Sequence, residues 1–149
     1  MTAEGTNERV VVGVDGSATS ARAMAWAARY ARATGASIRA VMAWHYPAAV
    51  GPAPIGLAPA SVTADVEKAR EHELNAAITA AFGDPPVVPV ERKIVYGHPS
   101  AVLIEESKDA DLLVVGSHGH GGFAGMMLGS VSTHCVTHAA CPVTVVRAA

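Results

Sequence analysis

No stretch of this 149-residue chain approaches the roughly 20 consecutive apolar residues of a membrane span, although half of its residues are hydrophobic. An excess of positive charge is also missing. The formal net charge is −2, which argues against nonspecific nucleic-acid binding, a property of basic surfaces. Cysteine is scarce, with two residues. In a cytosolic chain these are expected as reduced thiols rather than a disulfide. The segment Met1 to Arg9 is polar and lacks the apolar core of a signal peptide. A soluble, cytoplasmic protein is the expectation.

Several chemistry-bearing motifs are absent. No Gly-Lys-Ser/Thr forms a Walker A loop, and no G-x-G-x-x-G fingerprint occupies the first strand-to-helix turn. No G-x-S-x-G elbow presents a nucleophilic serine. Neither C-x2-C nor H-E-x-x-H occurs. His134 and His138 stand four apart on one predicted helix, and Cys135 and Cys141 are near in sequence. Without a metal-binding pattern around them, partly exposed histidines and packed thiols are the better reading, and no metal site is expected.

What the chain does have is alternation. Arg9 to Val14 is a β-branched run and reads as a buried strand. Asp15-Gly16-Ser17 is a turn, with Ser17 or Ser20 available to cap a helix. Ala21, Met24, Ala25, Ala28 and Ala31 recur at helical spacing until Gly35. Ser37 to Trp44 is a second strand, and His45 to Ala60, rich in Pro, Gly and Ala, is a long loop. Val66, Ala69, Glu73, Leu74, Ala77, Ile78 and Ala81 define one side of a second helix, ended by Gly83-Asp84-Pro85-Pro86. Val87 to Tyr96 holds a third strand, and Pro99 opens a helix to about Lys108. Leu112 to Val115, Ser130 to Ala139 and Pro142 to Arg147 complete the series as strand, helix and strand. Strands alternating with helices of this length predict one α/β domain over residues 1–149, a doubly wound parallel sheet with helices on both faces. Ligands of such sheets sit beyond the C-terminal strand ends. Asp15, Ala43 to His45 and Gly116 all fall at that edge.

The last of these edges carries a glycine pattern, G-x2-G-x9-G-S, formed by Gly116, Gly119, Gly129 and Ser130. A buried strand runs into a glycine-rich loop and then into a helix start. Glycines let backbone approach an anion, and a helix N-terminus adds partial positive charge. His118 and His120 lie in the same loop and can reach phosphates when protonated, His118 the better placed. Trp44 is a candidate either for stacking on a ligand or for packing.

Together these segments resemble the universal stress protein family. The resemblance spans Val10 to Arg147. It rests on VVVGVDGS at 10–17, AVMAWHYP at 40–47, VYGHPS at 95–100, LLVVGSHGHGGFAGMMLGSVS at 112–132 and CPVTVV at 141–146. The glycine spacing resembles that of the branch that binds ATP. The resemblance implies the strand order 3-2-1-4-5 and a homodimer. It implies ATP as ligand, with or without Mg2+, and cyclic AMP as the alternative. It assigns Asp15 to the ribose, aided by Gly116, and the backbone around Ala43 to the adenine edge. Gly119, Gly129, Ser130 and the N–H of Val131 are assigned to the phosphates. A carboxylate at Asp15 suits hydroxyls or a magnesium ion. Its other reading is a turn residue bonding the backbone of Gly16 and Ser17.

The expected output is regulatory, with nucleotide occupancy altering the loop at 118–128. Slow ATP hydrolysis or autophosphorylation at Ser130 is the enzymatic alternative, although no residue stands out as a catalytic base. The final strand, Pro142 to Arg147, lies at a sheet edge in the implied order. Its unblocked valines make it the expected homodimer contact.

Overall fold

The computed structural model describes residues 8–45, 60–119 and 128–148, with the backbone alone for residues 60–63. Among these residues nine elements alternate: β1 (Arg9–Gly13), α1 (Ala18–Thr34), β2 (Ser37–Trp44), α2 (Ala60–Phe82), β3 (Val90–Tyr96), α3 (Pro99–Ser107), β4 (Leu112–Gly116), α4 (Ser130–His138) and β5 (Val143–Val146). All strand pairings are parallel, and the order is β3-β2-β1-β4-β5. The expected doubly wound α/β sheet and its order are therefore present.

Local chemistry sets the helix ends. The Ser17 hydroxyl accepts from the Ser20 amide at 3.1 Å and caps α1. Gly35 closes the same helix at φ 78°, a left-handed conformation that glycine adopts without steric cost. Pro99 stands at the start of α3, where its missing N–H costs nothing.

Strand alternation divides the core into two layers. Val10, Val12, Ile38, Ala40 and Val114 face α1 and α2, meeting Met24, Ala27, Leu74 and Ile78. Val11, Val41, Leu113 and Val115 face the opposite way and meet Val102, Leu103 and Cys135 of α3 and α4. On α1 the buried apolar set is Ala23, Met24, Ala27, Ala28 and Ala31, while Ala21 and Ala25 are exposed. Alanine occupies both faces of this helix, so periodicity alone placed two of them on the wrong side. On α2, Leu74 and Ile78 are buried as expected, but Ala69 and Glu73 are exposed, and Glu73 pairs with Arg70. Trp44 is buried edge-on against Tyr96, with ring centroids 4.8 Å apart. That geometry supports the packing role.

The sheet end away from the strand C-termini is stapled by charge. Arg39, 8% exposed, reaches Glu91, Glu106 and Asp109 at 2.9, 3.0 and 3.1 Å. Lys93 holds the second oxygen of buried Glu106. Partial desolvation works to raise the Asp109 pKa, but hydrogen bonding and charge from Arg39, with Arg9, outweigh it and hold the carboxyl below its ordinary range. Burial pushes the Cys135 thiol up to about 11. Both cysteines are free thiols.

Candidate functional site

At the C-terminal ends of β1, β2 and β4 the structure opens a cleft of about 540 Å³. This lies within the range of small-molecule sites, roughly 300–1,000 Å³. It sits where the strand order reverses between β1 and β4, the usual ligand position in an open parallel sheet. All eight residues picked out from the sequence line it: Asp15, Ala43, Gly116, His118, Gly119, Gly129, Ser130 and Val131. His120, Gly121, Gly122 and Gly125 of the glycine loop lie outside the described residues, as does most of the 45–60 loop.

One end of the cleft is made of free strand backbone. The β1–β2 register stops at Gly13 and Val41, and the Val14 amide donates to the Val41 carbonyl at 2.9 Å. Backbone groups in a strand alternate sides with period two. Ala43 therefore turns its N–H and C=O the same way as Val41, but past the point where β1 has ended. A donor and an acceptor on adjacent positions can pair with the edge of a planar heterocycle. Trp44, facing the other way, accepts from the Gly97 amide at 2.8 Å.

The other end is the start of α4. Gly129 is its N-cap residue, and no side chain caps the helix. The amides of the first turn are thus left for an anion, with the dipole favouring negative charge. The Gly129 amide is an exception, because it donates to the Ser117 carbonyl at 2.6 Å. The first-turn donors left for an anion therefore include the amides of Ser130 and Val131, together with the Ser130 hydroxyl. Gly129 serves by its lack of a side chain. A β-carbon there would stand 3.1 Å from the His118 Cα. Its φ of −74° is open to any residue, so the need for glycine is close approach rather than backbone angle.

Ser132 was not singled out by the sequence. It is 1% exposed and lies 2.8 Å from the Ser117 carbonyl and 3.0 Å from that of Gly129. Its hydroxyl and the Gly129 amide together satisfy the Ser117 carbonyl and lock α4 onto the end of β4. The only sequence signal was a serine three residues after the helix cap. The Ser117 hydroxyl lies 3.1 Å from Nδ1 of His118, which directs that ring.

Asp15 stands between the two ends. Its Oδ1 accepts from the Ser17 amide at 2.8 Å, so the turn role is real. Its Oδ2 faces Gly119, where a β-carbon would collide with it. Gly116 is equally crowded: a β-carbon would lie 2.7 Å from Cγ2 of Thr19 at the start of α1. No cluster of three or more His, Cys, Asp or Glu side chains suited to a metal occurs among the described residues. His134 and His138 lie with ring centroids 6.4 Å apart, and Nδ1 of His134 donates to the Ser130 carbonyl.

The family model for universal stress proteins matches residues 6–147. The chain belongs to the universal stress protein family. A universal stress protein of Mycolicibacterium smegmatis is 38% identical over 139 residues, covering 93% of this chain and 45% of the relative. The chain spans about half the length of the curated relatives it matches. Among solved structures, universal stress protein UspA from Lactobacillus plantarum has a TM-score of 0.69 at 21% identity, over 95% of this chain and 98% of that one. This likeness speaks for the fold alone. A universal stress protein solved in complex with cyclic AMP is 30% identical, with a TM-score of 0.58 over 95% and 97% of the two chains. No helix among the described residues of this universal stress protein is long and apolar enough to cross a membrane.

Proposed function

We propose that this universal stress protein binds an adenine nucleotide in the cleft and that occupancy is its regulatory signal. The observation that carries the reading is the pairing of opposite ends. Ala43 turns strand backbone past the end of β1, and the uncapped start of α4 faces the same cleft. Adenine fits the first, through its ring nitrogen and amino group. Phosphate fits the second, through the Ser130 and Val131 amides and the Ser130 hydroxyl. Asp15 lies between them, where its carboxylate accepts from ribose hydroxyls. The ring of His118 stands beside the phosphate end.

The glycine spacing favours ATP, with Mg2+ drawn in by its phosphates. A second reading, cyclic AMP, is favoured by the 30% identical universal stress protein solved with that ligand. A cytoplasmic homodimer joined through β5 completes the proposal. The order β3-β2-β1-β4-β5 leaves that strand at an edge.

The test is release of bound ligand from the purified protein under mild acid, identified by mass. Calorimetric titration with adenosine, AMP, cyclic AMP and ATP follows. An adenine nucleotide in the released fraction and saturable binding are expected. No heat with any of these ligands at millimolar concentration would remove the reading.

A further inference from the structure

The cleft's charge sets a limit on its ligand. The chain has 11 lysines and arginines, and all of them lie within the described residues. None lines the cleft. Arg9, Arg39 and Lys93 belong to the acid-rich network at the far end of the sheet. Arg29, Arg32 and Lys68 are on exposed helix faces. Arg92 donates to Asn75, Lys108 pairs with Glu105, and Arg22 donates to the Arg147 carbonyl. Arg70 lies in the recess next to the cleft, where Glu73 holds it through two contacts of 3.0 Å, and Arg147 is an exposed residue just after β5 that is not part of the cleft lining. The segments 46–59 and 120–127 contain neither lysine nor arginine.

An anion in this cleft therefore meets neutral donors and a helix start worth about half an elementary charge. The fixed charge in the lining is negative. Asp15 turns Oδ2 toward Gly119, one of the glycines assigned to the phosphates. A single phosphate can be held by amides and a hydroxyl alone. Each further phosphate adds negative charge with no cation to offset it and with a carboxylate nearby.

We infer that the cleft selects adenine nucleotides carrying one phosphate, as a monoester or a cyclic diester, and admits a triphosphate well only when a divalent cation accompanies it. This rests on the nucleotide reading above and narrows it to a ligand class. It also makes the ratio of mono- to triphosphate, rather than triphosphate concentration alone, the signal the protein reads. Rising Mg2+ shifts occupancy at a given ratio toward the triphosphate.

The test is a set of titrations of the full chain at pH 8, with the same buffer and ionic strength for every ligand. Adenosine, AMP, cyclic AMP, ADP and ATP are compared in EDTA, and AMP and ATP again in excess Mg2+. In EDTA, AMP or cyclic AMP binds at least about tenfold tighter than ATP, and comparing those two separates monoester from cyclic diester. Excess Mg2+ tightens ATP and leaves AMP nearly unchanged. Asp15→Asn weakens both nucleotides through the ribose, yet shifts the ATP-to-AMP affinity ratio toward ATP by about threefold. That ratio is blind to a general loss of structure. ATP binding in EDTA as tightly as the better of AMP and cyclic AMP would overturn the charge limit and leave the nucleotide reading standing. Absence of binding by every ligand, adenosine included, would overturn both.

Discussion

Gly119 and Asp15 are in mutual contact across the cleft: a β-carbon on Gly119 would overlap Oδ2 of the aspartate. Glycine at 119 is thus required by a neighbouring side chain. It is not one of the glycines at positive φ, which among the described residues are Gly16, Gly35, Gly83 and Gly97. Gly119→Ala displaces the carboxylate and with it the proposed ribose contact. We expect at least about tenfold weaker nucleotide binding, the scale of one lost charge-assisted hydrogen bond. Gly129→Ala meets His118 and Ser117 at 3.1–3.4 Å, a milder crowding that small shifts relieve. It should cost less than Gly119→Ala. Calorimetry on the two variants gives the order, and the reverse order would refute the contact as the reason for glycine 119.

Asp15 has a turn role and a proposed ligand role that substitution can separate. Its Oδ1 bond to the Ser17 amide shapes the turn that starts α1. Asn keeps an oxygen at that position, whereas Ala removes it. Asp15→Ala should lower unfolding free energy by about 1 kcal/mol and Asp15→Asn by much less. Both should weaken nucleotide binding. Denaturant melts of the apo protein, set against titrations, distinguish the turn from the ligand contact.

The parts of the site that were legible in the sequence are those written in short spacings. Gly116, Gly119 and Gly129 flank a strand end and a helix start, so their place in the cleft followed from local pattern. Ser132 was not legible, because its partner is the carbonyl of Ser117, fifteen residues away and defined only once α4 folds back on β4. Arg39 is a similar case. Its acids come from β3, the end of α3 and the turn after it, and no window of sequence holds all four residues. The fold was legible because strands and helices alternate with clear breaks. The faces of α1 and α2 were less so, since alanine carries little contrast between core and surface.

Ser132→Ala tests the link between α4 and β4. The hydroxyl is buried and supplies one of two donors to the Ser117 carbonyl. Its loss should cost about 1–2 kcal/mol of stability. Nucleotide binding should weaken as well, because the Ser130 and Val131 amides lose their fixed placement. Retained affinity and retained stability together would mean that the Gly129 amide suffices to hold the helix start.

Cys135 gives a pH dependence with a definite sign. Burial raises its thiol from near 9 to about 11, so the folded state holds the proton over that interval while the unfolded chain releases it. Stability is full below pH 9 and falls as pH rises toward 11. The loss is on the order of 2 kcal/mol, from about 1.4 per pH unit. Cys135→Ala should be less stable at pH 8 and should show a shallower decline from pH 9 to 11. An unchanged slope would assign the alkaline transition to other groups. In the native state at pH 8, Cys135 should also resist a thiol reagent that labels both cysteines after denaturation.

The edge strand β5 provides the last test, of the proposed homodimer. The Leu113 and Ser117 amides donate to the Pro142 and Val146 carbonyls at 2.9 and 2.8 Å. Pro142 and Val146 therefore turn their carbonyls to β4, and by alternation Val143 and Val145 turn their backbone groups outward to the free edge. The outward N–H and C=O groups of these two valines are what a second copy would pair with, antiparallel about a two-fold axis. Val145→Pro removes an outward donor and leaves every bond to β4 in place. Thr144→Pro removes an inward donor and should unfold the strand instead. We expect wild type to sediment as a dimer at micromolar concentration, Val145→Pro as a folded monomer, and Thr144→Pro to lose stability. A wild-type monomer, or a Val145→Pro variant that remains dimeric, would place any self-association elsewhere than on this edge.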